Sequence, residues 1–127
     1  MQEKAITMTG SRSVDLEIFL DKLEHHPEQI EFPDTIALIN SLYDFRQTGF
    51  RNGDIFNPPG QNTGSCKIFA FGRLYDLKEE STLACFGAFY RADVLKNPDS
   101  NSHPNIRQFM KTGWKEIEFD GVALRAK

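Results

Sequence analysis

Apolar residues recur at helical spacing along most of this chain and alternate in only two short stretches. Leu16, Phe19, Leu20 and Leu23 fall at i, i+3, i+4 and i+7, one face of an amphipathic helix. Ser13 is placed to cap it, Asp15 and Glu17 suit the positive end of its dipole, and His25-His26-Pro27 closes it. A second helix is expected from Asp34 or Thr35, burying Ile36, Ile39, Leu42 and Tyr43. A third starts at Cys66, with Ile68, Phe71, Leu74 and Tyr75 on one face. Residues 79–95 read as a fourth, with Leu83, Phe86, Tyr90 and Val94 on one side and Cys85 and Phe89 beside them. Its wide apolar arc places it in the middle of the bundle. Gly87 costs that helix about 1 kcal/mol of propensity, which close approach of another helix would justify. Pro104 suits the first position of a fifth helix, capped by Ser102 or His103, facing Ile106, Phe109 and Met110 inward and stopping at Gly113.

Two stretches break the helical period. In "TGFRNGDIFN" the Asn52-Gly53 pair suits a type I′ hairpin turn, and in "WKEIEFDGVAL" Ile117 and Phe119 alternate before an Asp120-Gly121 turn. The expected class is α+β: about five helices with a small antiparallel sheet from residues near 48–57 and 115–124. Phe71, Phe86, Tyr90, Ile106 and Phe109 are expected to be buried in mutual contact, and Trp114 to pack inside. Residues 1–12 read as a flexible segment ahead of one globular domain over 13–127.

Composition bounds the function. The 127 residues carry eleven phenylalanines and a formal charge of −3, enough for one core without disulfide staples. No stretch approaches the roughly 18 apolar residues of a membrane span, and the first thirteen residues lack a signal-peptide core. Acidic side chains outnumber basic ones ten to five over residues 1–64, and basic exceed acidic ten to eight beyond. That distribution lacks the basic patch of a nucleic-acid-binding protein. Cys66 and Cys85 sit in apolar segments, as reduced buried thiols do, so a reducing compartment is expected. No Cys/His set has zinc spacing, Asp93 and Asp99 are not spaced as a calcium loop, and adjacent helical His25 and His26 point apart. No metal or cofactor is expected.

The candidate chemistry lies in two polar loops. "NPPGQNTGSCK" fails as a P-loop: Gly60 and Gly64 have three residues between them, Lys67 lies three past Gly64, and no hydroxyl residue follows it. The same loop still has the makings of a weaker anion site. Ser65 would cap the third helix so that free amides face the loop, Lys67 would add charge, and Asn57, Asn62 and Gly64 would line it. His103, Asn105 and Arg107 would border it from the second loop. Cys66 with His103 and Asn105 or Asp99 is a nucleophile set on paper; the alternative is a buried thiol. Arg91 and Arg107 suit either an anionic ligand or internal pairing.

The runs "NGDIFNPPGQNTGSCKIFAFGRL", "TLACFGAFYRADVL" and "HPNIRQFMKTGWKEIEF" together resemble the HopJ type III effector protein family, over roughly Val14 to Leu124. The motifs that carry the likeness are Asn-x-Gly-Ser-Cys-Lys at Asn62 to Lys67, His-x-Asn-Ile-Arg at His103 to Arg107, and Gly113-Trp114. Gln47 departs from it, standing where proline is expected. The resemblance implies a domain of the bacterial cytoplasm or one exported from it, without an assigned activity, in a family named for bacterial proteins delivered into plant cells by type III secretion. The expected role is a binding or interaction module using the loops at 57–65 and 97–105. Its partner would be a protein or small anionic ligand, not nucleic acid or a membrane. The alternative is a small-molecule enzyme or anion binder built on Ser65, Lys67, His103, Asn105 and Arg107.

Overall fold

The computed structural model describes residues 13–127, so the expected flexible segment over 1–12 lies outside the described residues. Helix α1 (Val14–His25) begins where the Ser13 hydroxyl accepts a hydrogen bond from the Leu16 amide at 3.0 Å, and it buries Leu16, Phe19 and Leu23. A 3-10 turn over Pro27–Gln29 leads into α2 (Phe32–Leu42). This helix starts ahead of the expected Asp34, because Pro33 fits the first turn, where no amide hydrogen is needed. Tyr43 is not its last residue. It opens strand β1 (Tyr43–Phe45), which pairs antiparallel with β5 (Leu124–Ala126) at the end of the chain.

Strands β2 (Phe50–Asn52) and β3 (Ile55–Asn57) form the expected hairpin, one residue out of the expected register. Asn52 pairs with Ile55, so the turn residues are Gly53 and Asp54. Only Gly53, with φ of 58°, lies in the left-handed region, as a II′-type loop requires of its first position. Asn52 is thereby kept in the strand, with its side chain buried. β4 (Ile117–Phe119) pairs with the other edge of β2, giving the order β3-β2-β4. Both small sheets are antiparallel.

Helix α3 (Thr63–Leu74), not the fourth helix, runs through the centre. It buries Cys66 and every residue from Ile68 to Gly72, so it is covered on nearly all sides. The face anticipated for it needs correction: Phe69 is fully buried, whereas Leu74 is 54% exposed. The segment 79–95 is not one helix. α4 (Glu79–Ala84) stops, Gly87 adopts φ of 61°, and Phe89–Val94 winds as a π-helical turn. A Cβ on Gly87 would lie 2.6 Å from the Phe32 amide nitrogen, so the start of α2 occupies the room a side chain would need. The close approach expected there exists, but it breaks the helix.

α5 (Pro104–Thr112) is preceded by His103 in left-handed geometry and closed by Gly113, whose amide donates to the Phe109 carbonyl at 2.8 Å. Met110 does not face inward; it is 46% exposed. The core is organised around Phe69, whose ring meets Phe86, Phe109, Phe50 and Trp114 at centroid distances of 5.6, 4.9, 5.9 and 6.3 Å. Trp114 is half-buried, its indole donating to the Leu77 carbonyl at 2.8 Å. Phe71, Phe86, Ile106 and Phe109 are buried as expected, but Tyr90 is only half-buried. Phe71 packs with Phe19 and Tyr75, in a separate group of rings from Phe86 and Phe109. The hydroxyls of Tyr75 and Tyr43 are hydrogen-bonded, tying α3 to β1.

Candidate functional site

Four asparagines join the hairpin to the starts of α3 and α5. Asn57 and Asn105 exchange amide hydrogen bonds, at 3.2 Å from Asn57 and 2.9 Å from Asn105. Asn52 donates to the backbone and side-chain oxygens of Asn105 at 2.9 and 3.1 Å. Asn62 donates to the Asn57 side chain at 2.7 Å. Asn52, Asn57 and Asn105 are buried, and buried amides stabilise only when nearly every polar atom has a partner. Here the Asn52 side-chain oxygen alone lacks one. Asn57 and Asn105 thus bond mainly to one another, and their first consequence is to hold the two loops side by side.

An open cleft of about 290 Å³ lies where those loops meet. Asn62, Gly64 and Ser65 line it from the start of α3, and His103, Asn105 and Ile106 from the start of α5. Phe32, Phe86 and Phe89 supply apolar walls. The structure therefore brings together five of the eight residues singled out in the sequence: Asn62, Gly64, Ser65, His103 and Asn105. Asn57 sits behind them in the amide network.

The remaining two lie elsewhere. Lys67 points toward α2, donating to the Asn40 side chain at 2.9 Å with its ammonium 4.9 Å from the Phe45 ring centre. Arg107 donates to the Ser102 carbonyl and, at 3.3 and 3.4 Å, to those of Pro98 and Asp93, so it fastens the link before α5. Arg91 does the same for the start of α2, through the Ile30 carbonyl at 2.6 Å and the Glu31 carboxylate at 3.4 Å. Loop carbonyls without helical or sheet partners draw the guanidinium groups inward.

Ser65 does not cap α3. The helix begins at Thr63 behind Asn62, which is left-handed with φ of 53°, and Ser65 is its third residue. No hydrogen bond within the described residues occupies the Ser65 hydroxyl. His103 donates from Nε2 to the Asp93 carboxylate at 3.0 Å while its ring lies 4.9 Å from that of Phe89. With the proton held at Nε2, the neutral imidazole keeps its lone pair on Nδ1.

The thiols take no part. Cys66 is buried, with its sulfur 3.8 Å from the Thr48 carbonyl oxygen. Burial pushes its pKa from 9.0 up to about 11, against smaller downward pulls from Lys67 and the Thr48 hydrogen bond. Burial alone pushes Cys85 up to about 12. Cys66 is thus a buried thiol turned to Thr48 and absent from the cleft lining, an environment that disfavours the thiolate a nucleophile needs. Both thiols should resist a disulfide-exchange reagent at pH 8 in the folded protein and react promptly in denaturant. Because the folded pKa values are raised, the neutral thiols contribute stability fully below pH 9, and this is lost as pH rises toward 11–12. Urea midpoints should fall over that window. Rapid native labelling of Cys66 would overturn the assignment.

Among the described residues no group of three or more His, Cys, Asp or Glu is arranged to hold a metal, and no helix is long and apolar enough to cross a membrane. The model of the HopJ type III effector protein family matches residues 16–124, and with them both loops and the cleft between them. The chain belongs to the HopJ family. A crystal structure of VPA0580, a protein of unknown function, is similar at 53% identity and a TM-score of 0.88, covering 91% of this chain and 97% of that one. No curated protein matches. Sequence reasoning misses Phe32, Phe89, Asp93 and Asn52. The first three fall in segments that read as linker or core helix, and Asn52 reads as a turn residue.

Proposed function

We propose that this HopJ domain is a binding module whose ligand site is the cleft between the starts of α3 and α5. One observation carries the reading. Two polar loops distant in sequence are locked together by buried amides, and they open onto a concave surface with phenylalanine walls. Ser65 and His103 keep hydrogen-bonding capacity there that the fold does not use. Small-ligand sites have this make-up, a mostly apolar hollow with a few placed polar groups. The volume stands at the small end of their range, which begins near roughly 300 Å³.

A small anion is the second reading, favoured by the first-turn amides of α3 and α5 at the cleft. It has lost the support of Lys67 and Arg107, which bond elsewhere. Family membership supports residence in a bacterium and export by type III secretion, which a reporter fusion with and without an intact secretion system would test.

Amide-shift mapping with a mixed-charge fragment set tests the binding reading. Hits should move residues 62–65, 86, 89 and 103–106 together, and Ser65→Trp, which fills the half-open cleft, should abolish the response. Hits that cluster elsewhere, or that survive Ser65→Trp, would remove the cleft as the site.

A further inference from the structure

The chemistry of the cleft wall narrows its ligand class, provided that the cleft is the binding site. The Phe32 and Phe89 rings lie 4.9 Å apart with their planes at 57°, and the His103 ring lies 4.9 Å from Phe89 with the planes at 31°. Three rings thus run in series along the cleft, and Phe89 remains 38% exposed. Gly64 makes room for this wall, since a Cβ there would come within 2.9 Å of the Phe32 ring. A partly exposed aromatic ring such as Phe89 offers an offset or edge-to-face contact to a planar group.

Charge sets the second limit. No lysine or arginine lines the cleft, so a strongly charged anion finds no fixed counter-charge. The positive ends of α3 and α5 open there, so a cation is disfavoured despite the aromatic wall. What remains on offer is neutral. Donors come from the first-turn amides and the Ser65 hydroxyl, and an acceptor from His103 Nδ1, whose ring is oriented by Asp93.

We propose that the cleft takes an uncharged planar ring bearing a carboxamide-like edge, packed against Phe89 between Phe32 and His103 with its carbonyl toward the first turn of α3. A carboxamide supplies the acceptor that Ser65 and the amides need and the donor that His103 can receive.

Four isosteric probes decide it: benzamide, benzoate, benzamidine and cyclohexanecarboxamide, each titrated separately and followed by amide shifts. Benzamide should bind about three- to tenfold tighter than the saturated amide, which keeps the polar edge and loses the ring face. It should also exceed both charged analogues. Phe89→Leu, a change at a partly exposed position that preserves apolar bulk, should weaken benzamide about three- to tenfold and leave cyclohexanecarboxamide nearly unchanged. Should that variant fail to fold, the ranking on the unaltered protein still decides. Tightest binding by benzoate would make this an anion site, and by benzamidine a cation cage; either overturns the proposal. Equal binding of the saturated amide would remove the need for a ring. If all four leave the cleft unmoved while other fragments shift it, the ligand class falls and the binding reading stands. Silence from every fragment removes both.

Discussion

Phe69→Ala is expected to destabilise the protein by about 3–5 kcal/mol, the cost of deleting a fully buried phenylalanine. Phe69 is 0% exposed, and four aromatic side chains from the hairpin, the α4–π junction, α5 and the Trp114 turn converge on it. Those neighbours belong to different elements, each held by its own hydrogen bonds, so the hole cannot close by moving one of them. A domain of this size has about 5–15 kcal/mol in total. The urea midpoint should therefore fall by more than 1 M, given a slope of about 1–3 kcal/mol/M. Leu74→Ala on the same helix is the control: Leu74 is 54% exposed, and its loss should cost well under 1 kcal/mol. Equal midpoints for the two variants would show that Phe69 is not the centre of the core.

Gly87→Ala is expected to cost about 2–5 kcal/mol, from backbone strain and overpacking, two sources that add. An alanine at φ of 61° carries left-handed strain of about 1–2 kcal/mol. Its Cβ would also meet backbone, the Phe32 nitrogen at 2.6 Å and the Glu31 Cα at 3.1 Å, and backbone cannot rotate aside as a side chain can. Gly60→Ala separates the two. Gly60 has φ of 88°, but its nearest neighbour is the end of the Gln47 side chain at 3.3 Å. That variant should show the strain alone. Gly87→Ala should also move Phe32 and Phe89, and so disturb the cleft, whereas Gly60→Ala should leave it intact. Equal costs for the two alanines would mean that the start of α2 does not press on Gly87.

The lowest-level features of the fold are legible in the residues. Ser13 caps α1, Pro104 and Gly113 bound α5, and alternation marks β4, because caps, proline and period-two patterning act over a few neighbours whatever the rest of the chain does. The α+β class follows from them, and composition picks out the two polar loops. Local rules fail where a distant segment competes. Residues 79–95 have the periodicity of one helix, but the start of α2 intrudes at Gly87 and splits it. Asn52-Gly53 has the chemistry of a turn centre, but the amide network keeps Asn52 in the strand and moves the turn along by one. Ser65 has the chemistry of a cap, but Asn62, bonded to Asn57, starts the helix earlier.

The cleft is a product of packing between remote segments. Asn57 and Asn105 are far apart along the chain, and nothing in their local sequence says that two amides will find each other. Lys67 and Arg107 carry the charges that a binding loop would want, yet Asn40 and the carbonyls before α5 claim them first. Phe32 reaches Phe89 because Gly64 and Gly87 leave room for it, through close approaches between segments remote in sequence. Which loops are polar, and where most helices start and stop, can be read from the residues because both depend on nearest neighbours. Which polar groups are consumed by the fold and which remain for a ligand depends on long-range packing, because a hydrogen bond is committed only when its partner arrives.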